Sequence, residues 1–310
     1  MGSEAAIDVV GLHKAYGEHE AVRGIDFEVA RGEVFGFLGP NGAGKTTTIE
    51  ILEGYRPRTA GDVSVLGTDP GRPTRAWRTR IGLVLQECEL NPLLTVEETM
   101  KLYASFFPEP RSVDQTLELV GLQGRHGVRV GALSGGQQRR LDVGVGIIGN
   151  PELLFLDEPT TGFDPTARRE AWNMIEGLKA LGTTIVLTTH YMEEAQHLAD
   201  RVMILREGQI VAEGAPATLG DKLGRETMIR FRLTDGLDPE RISTALGRPA
   251  TVSGNQATLA STEPQRDLYR MLRWAEDSGV HLADLEVRRP SLEDVFLAVT
   301  GNEDSEGDRE

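Results

Sequence analysis

Two hydrophobic periods divide the chain. The opening segment alternates apolar and polar residues in short β-rich runs, IDVVGLHKAY and then IDFEVARGEV, with turns at Glu18 to Glu20 and at Arg31-Gly32. VFGFLG is apolar throughout, which predicts a buried strand; it ends in a glycine-rich turn, and TTTIEILEGY continues as a helix. From Leu94 to about Gly149 apolar residues recur three or four apart, as in VEETMKLYASFF and VDQTLELVGL, so this stretch is read as helical. Three more continuous apolar runs follow, LLFLD, TTIVLTT and RVMILREG, separated by helices such as TARREAWNMIEGLKALG. Uninterrupted runs alternating with helices predict a parallel sheet covered on both faces. Arg206-Glu207-Gly208-Gln209 predicts a hairpin turn that closes this domain, and APATLGDKLG a helical exit.

After Gly224 the texture changes. The pattern reads as strand MIRFRL, helix DPERISTAL, strands ATVSG and QATLA, helix PQRDLYRMLRWAEDSG, strand HLADLEVRR and a closing amphipathic helix SLEDVFLAVTG. A β-α-β-β-α-β order suggests a small ferredoxin-like domain; an irregular extension packed on the first domain is the competing reading. The expected boundaries are 1–222 for the first domain, with a helical part at about 94–149, then 223–300. Trp77 and Trp274 read as packing residues.

Composition narrows the function classes. The 310 residues carry a net charge of −15, which argues against a broad electrostatic grip on nucleic acid. Residues 301–310, GNEDSEGDRE, hold five acids and one arginine and read as a solvated, disordered tail. A single cysteine, Cys88, excludes an internal disulfide and a Cys-rich zinc site, and reads as a small apolar filler. The N-terminal stretch, with Glu4 and Asp8, lacks a basic-then-apolar secretion signal, and no apolar run reaches eighteen residues. The expectation is a cytoplasmic protein that does not itself span a membrane.

The candidate chemistry begins at GPNGAGKT, residues 39–46, between a predicted strand and a predicted helix, the context a Walker A loop requires. Gly39, Gly42 and Gly44 let the backbone curl around Pro40, Asn41 and Ala43 so that its N–H groups face phosphates, and the helix N-terminus adds partial positive charge. Lys45 supplies a mobile charge for the β- and γ-phosphates; Thr46 offers a hydroxyl to Mg²⁺, with Thr47 beside it. LLFLDEP supplies the second element. Asp157 ends an apolar strand where its carboxylate can hold Mg²⁺, directly or through water, and Glu158 is placed to accept a proton from an attacking water. Paired acids alone at a strand end are often merely solvated.

A Walker loop and an acid pair leave kinases, GTPases, helicases and transport ATPases open. LSGGQQRR, residues 133–140, narrows the choice: with the elements around it, it resembles the signature of ATP-binding cassette (ABC) proteins, and the likeness extends over residues 7–222. Physically, Ser134, Gly135, Gly136 and Gln137 open a second helix whose donors can meet an anion. The resemblance implies a P-loop α/β fold with a mixed-sheet core, an antiparallel β subdomain, a helical subdomain and a small α+β C-terminal domain. It also implies roles for single residues. Gln86 in GLVLQE matches the glutamine that touches Mg²⁺ or water and senses the membrane subunit; Asp164 in TTGFDP matches the acid that communicates across the dimer. His190 in TTH matches the switch histidine at the γ-phosphate, and Tyr16 in KAYG the aromatic that stacks on adenine. Phe163 stands where leucine is commoner, a departure that touches packing rather than chemistry.

The resemblance further implies a homodimer that sandwiches two Mg·ATP, each triphosphate between Lys45 and Thr46 of one chain and Ser134 to Gln137 of the other. The dimer would work against a separate permease at the cytoplasmic face of the membrane. Within the family, LTTHYMEEAQHLADRVMILREGQIVAEG and PSLEDVFLAVTG are most similar to ATPases of daunorubicin-resistance-type drug and antibiotic exporters. Lipid or polysaccharide export, and import, fit the same cassette. A DNA-repair, chromosome-organising or translation cassette fits poorly, because only 86 residues lie between Thr46 and Leu133 and one cassette is present. A scaffold with incidental hydrolysis is disfavoured by the intact catalytic set.

Overall fold

A computed structural model describes residues 5–85, 89–222, 226–232, 250–254 and 256–301. The chain divides into two compact units between Ala215 and Pro216.

The first unit opens with β1 (Ala5–Tyr16) and β2 (His19–Ala30), two twelve-residue strands in an antiparallel pair; β4 (Ala60–Val65) joins β1 to give the order β2-β1-β4. Alternation in β2 turns Val22, Ile25, Phe27 and Val29 inward. A six-stranded sheet carries the rest: β5 (Ile81–Val84), β6 (Leu153–Asp157), β7 (Thr184–Thr188), β3 (Val34–Leu38), β8 (Arg201–Arg206) and β9 (Gln209–Gly214), in that spatial order. The first five run parallel and β9 is an antiparallel edge. Every residue of β3 and β7 is buried, as continuous apolar runs require when both faces are covered. Phe27, Phe35 and Phe37 knit the two sheets, with ring centroids 5.4–6.0 Å apart and edge-to-face or stacked contacts.

The helical region consists of α3 (Val96–Ala104), α4 (Val113–Leu119) and α5 (Gly135–Ile147). Capping boxes start two of them: Thr95 with Glu98 on α3, and Ser134 with Gln137 on α5. Their buried faces, including Val96, Met100, Leu117, Leu141 and Ile147, join one core with Leu154, Leu156, Ile185 and Leu187 of the sheet. Helix α1 (Lys45–Leu52) follows β3, the one-turn helix α2 (Arg75–Arg78) precedes β5, α6 (Pro165–Ala180) links β6 to β7, and α7 (Met192–Leu198) links β7 to β8. Trp77 is buried, with its indole N–H donating to Val65 O at 2.8 Å. No helix among the described residues is long and apolar enough to cross a membrane.

The second unit holds α8 (Pro216–Lys222), β10 (Thr227–Arg232), β11 (Ala250–Ser253), β12 (Gln256–Ser261), α9 (Pro264–Asp277), β13 (Ala283–Arg288) and α10 (Leu292–Thr300). Its strands are all antiparallel, in the order β11-β12-β10-β13, so β12 is inserted between β10 and β11 as in a split β-α-β arrangement. Met271 of α9 packs on Ile229, Phe231, Ala257 and Leu259, with Trp274 half-buried at the edge. The expected helix at DPERISTAL lies outside the described residues. Helix α8, assigned from the sequence to the end of the first domain, groups instead with α10, where a Cβ on Gly220 would meet Pro290 at 2.8 Å.

Candidate functional site

Strands β3, β6 and β7 end side by side, and the loops that leave them build one cleft of about 710 Å³. Asn41, Gly42, Ala43, Gly44, Lys45, Thr46 and Thr47 line it from the β3–α1 loop, Asp157 and Glu158 from β6, Thr188 and His190 from β7, and Tyr16 from the end of β1. Residues more than a hundred positions apart thus meet because parallel strands present their C-terminal ends on one side.

The β3–α1 loop is held by close backbone approach. Gly39 has φ +148°, and a Cβ there would lie 2.3 Å from Leu205 O; Gly44, the N-cap of α1, has φ +99°, and its Cβ would lie 2.5 Å from Ala21 O. Only glycine fits both the dihedral and the space. The Lys45 ammonium donates to Gly39 O at 2.5 Å and Pro40 O at 3.0 Å, so it lies folded over the loop at the helix start. Burial pulls the Lys45 pKa down, while the carboxylates of Glu158 and Asp157 push it back up.

On the β6 side, Thr188 Oγ1 donates to Asp157 Oδ1 at 2.5 Å and accepts from the Glu158 N–H at 3.1 Å. Glu158 takes φ +44°, a left-handed conformation uncommon for a residue with a Cβ, and this turns its side chain out of the strand direction. Its Oε2 accepts from Thr161 Oγ1 at 3.0 Å, and its Oε1 faces His190 Nδ1 at 3.3 Å. The Tyr16 ring is 41% exposed at the rim, with the Lys14 ammonium 4.9 Å and the Arg56 guanidinium 5.4 Å from its centroid.

Ser134, Gly136, Gln137 and Asp164 lie elsewhere, lining a second cleft of about 370 Å³ with Gly162 and Phe163. Ser134 caps α5 and Asp164 caps α6, accepting from Thr166 N at 2.8 Å and Ala167 N at 2.9 Å. Gly135 and Gly136 are the first two residues of α5, whose opening N–H groups have no intrahelical acceptor. Gln86 lies outside the described residues.

The residues that support the site were not evident from spacing. Arg139, inside the signature helix, donates to Asp157 O at 2.9 Å, to Pro159 O and Glu158 O at 3.4 Å, and to Leu85 O, pinning the backbone on either side of the acid pair. Thr188 was visible only as the end of an apolar run, and Thr161 as part of a TTGFDP loop. The signal for Arg139 was its place five residues after Ser134, which carries no hint of a carbonyl cluster.

Known proteins were compared with this chain. The ABC transporter family model matches residues 22–161, and a model for the C-terminal domain of ABC transporter domain-containing proteins matches residues 227–291. The chain is 39% identical to Nod factor export ATP-binding protein I of Rhizobium sp. (strain N33), covering 97% of this chain and 99% of that protein. It is 36% identical to the daunorubicin resistance ATP-binding protein DrrA3 of Streptomyces coeruleorubidus, over 97% of this chain and 98% of that protein. Among solved structures, the ADP conformation of MJ1267, an ATP-binding cassette of an ABC transporter, superposes with a TM-score of 0.64 at 26% identity, over 71% of this chain and 94% of that one.

Proposed function

The chain belongs to the ABC transporter family of ATP-binding, ATP-hydrolysing proteins, and we propose that two copies close on two ATP molecules to drive export through a separate permease. The observation that carries this reading is the separation of two anion-suited helix starts within one unit. Lys45 and Thr46 line the first cleft, while Ser134, Gly136 and Gln137 line the second, so each offers half of a phosphate site. A second copy turned about a two-fold axis would bring one half to the other, twice.

In the closed pair the triphosphate lies along Gly39 to Thr47 of one chain, with Lys45 on the β- and γ-oxygens and adenine on the Tyr16 ring. Ser134 and the Gly135, Gly136 and Gln137 amides of the other chain approach the γ-phosphate, where charge develops. Glu158 orients the attacking water and takes its proton, and His190, 3.3 Å from that carboxylate, bridges it to the γ-phosphate. Thr46, Asp157 and Gln86 would hold Mg²⁺; the hydroxyl and carboxylate share one cleft, and such hard oxygen donors suit a small divalent ion. When bound, Mg²⁺ offsets phosphate charge. Asp164, at the start of α6 beside Phe163, faces the partner and reports closure to it. The opening and closing, passed through residues 94–149, is the mechanical output.

Export of drugs, antibiotics or other amphipathic compounds is supported by the daunorubicin-resistance and Nod-factor-export relatives. The protein then acts as a peripheral subunit on the cytoplasmic face. The test is reconstitution in vesicles with a membrane-spanning subunit that co-purifies with the chain. ATP-dependent loss of an amphipathic dye from the compartment facing the ATPase supports export, and uptake into that compartment refutes it. An ATP-bound Glu158→Gln chain that stays monomeric by light scattering would refute the sandwich.

A further inference from the structure

We propose that Glu194 is a positioning residue that holds both flanks of Glu158 through a single buried carboxylate. It lies on α7, four residues after His190, and is 0% exposed. Its Oε1 accepts from Thr160 Oγ1 at 2.8 Å and from Trp172 Nε1 at 3.2 Å. Thr160 is itself 0% exposed and Trp172 is 7% exposed, so the junction is sealed from water. Burying a carboxylate for packing alone is costly, and an apolar residue of similar volume would fill the space at least as well. The polar group therefore asks for a reason.

Its partners supply one. Thr160 is two residues past Glu158, in the loop that leads to Asp164. The next residue, Thr161, donates to Glu158 Oε2 at 3.0 Å, and the Phe163 N–H donates to Thr160 O at 3.1 Å. Anchoring Thr160 thus fixes the turn that delivers a hydrogen bond to one carboxylate oxygen of Glu158. On the opposite flank, α7 begins immediately after Tyr191. The Tyr191 ring packs on His190 with centroids 4.0 Å apart, under the Arg168 guanidinium at 4.4 Å, and His190 faces the other oxygen of Glu158. Arg168 and Thr189 face the Glu194 carboxylate, and Trp172 ties it to α6. Burial raises the pKa of Glu194, and both bonds end on the same acceptor oxygen, Oε1. Glu194 touches no substrate; it acts by fixing where Thr161 and His190 meet Glu158.

The inference rests on the assignment of Glu158 as the base, and the test separates the two. Steady-state ATP hydrolysis by the full chain should show Thr160→Val lowering kcat three- to tenfold, with KM for ATP within twofold. Glu194→Ala should lower kcat at least tenfold, and Glu194→Gln, which keeps the acceptor oxygen, should recover most of that loss. Hydrogen exchange at the amides of Glu158 and of residues 160–164 should accelerate in Thr160→Val, whatever group proves to be the base. Unchanged exchange there overturns the positioning role. An unchanged kcat in Thr160→Val, or a loss confined to KM, overturns its link to catalysis. If Glu194→Ala fails to fold, Thr160→Val, which removes one buried hydroxyl and little volume, carries the decision alone.

Discussion

His190 Nδ1 stands 3.3 Å from Glu158 Oε1, across the gap between the ends of β7 and β6. The two groups lie just past the ends of adjacent strands paired in register, Asp157 opposite Thr188, so the sheet brings the two loop starts side by side. An imidazole and a carboxylate at this spacing can jointly orient a water. A His190→Ala variant should lose at least tenfold in kcat while retaining ATP affinity within threefold, measured by phosphate release and by equilibrium titration.

Replacing Glu158 by Gln keeps the shape and removes the proposed base. Hydrolysis should fall at least a hundredfold, the range expected when a general base is lost. ATP affinity should hold, since Lys45, Thr46 and Tyr16 are untouched. Hydrolysis at the parental rate would move the base to another residue.

Gly39→Ala places a methyl group 2.3 Å from Leu205 O at φ +148°. The loop cannot accommodate it without moving away from β8. The variant should bind ATP at least tenfold more weakly and melt several degrees lower, readable from one nucleotide-dependent thermal shift series.

Arg139 reaches the carbonyls of Leu85, Asp157, Glu158 and Pro159. Removing a charged donor from several part-buried carbonyls costs about 1.5–3 kcal/mol. Arg139→Ala should therefore lower the denaturant midpoint by that equivalent. It should also reduce kcat more than Glu170→Ala, which removes only the acid partner of neighbouring Arg140.

Asp142, 8% exposed on α5, has its pKa raised by burial from the ordinary 3.8 to about 6, with Arg139 opposing the rise. The folded state therefore binds this proton more tightly than the unfolded one, and the contribution to stability falls as pH rises from about 4 to about 6. Above that window the ionised carboxylate costs on the order of 2–3 kcal/mol. Asp142→Asn should be more stable than the parent at pH 8, with the gap closing by pH 4, in melting curves across that range. Glu53, raised to about 7 by burial and by Asp157 and Glu50, has the same sign but cancels in the comparison.

Much of this was legible beforehand, for physical reasons that differ by element. VFGFLG, LLFLD and TTIVLTT are buried on both faces, so every residue had to be apolar and the strands announced themselves. The bend of the β3–α1 loop was legible because its glycines answer to backbone geometry within eight residues. What spacing hid was the three-dimensional joinery. Arg139 gathers carbonyls from up to 54 positions away, and Glu194 meets Thr160 from 34 positions away. Neither partnership leaves a periodic trace, because hydrogen bonds between loops depend on how strands line up. Strand β5 was likewise missed as a strand. Its four residues, with Leu83 outward, are too few for a clear pattern. Helix α8 was placed with the wrong neighbour because sequence continuity says nothing about which core a short helix joins.

The pairing of β7 between β6 and β3 has a use outside mechanism. Thr188, at its last position, bonds both Asp157 and the Glu158 amide. Were β7 to pair one position out of step, Thr188 would point to the opposite side of the sheet and both bonds would vanish, while buried apolar content would barely change. Bulk spectroscopy would see a folded protein, but turnover per molecule would collapse. Specific activity in a preparation of this chain therefore reports on strand alignment that bulk spectroscopy does not see.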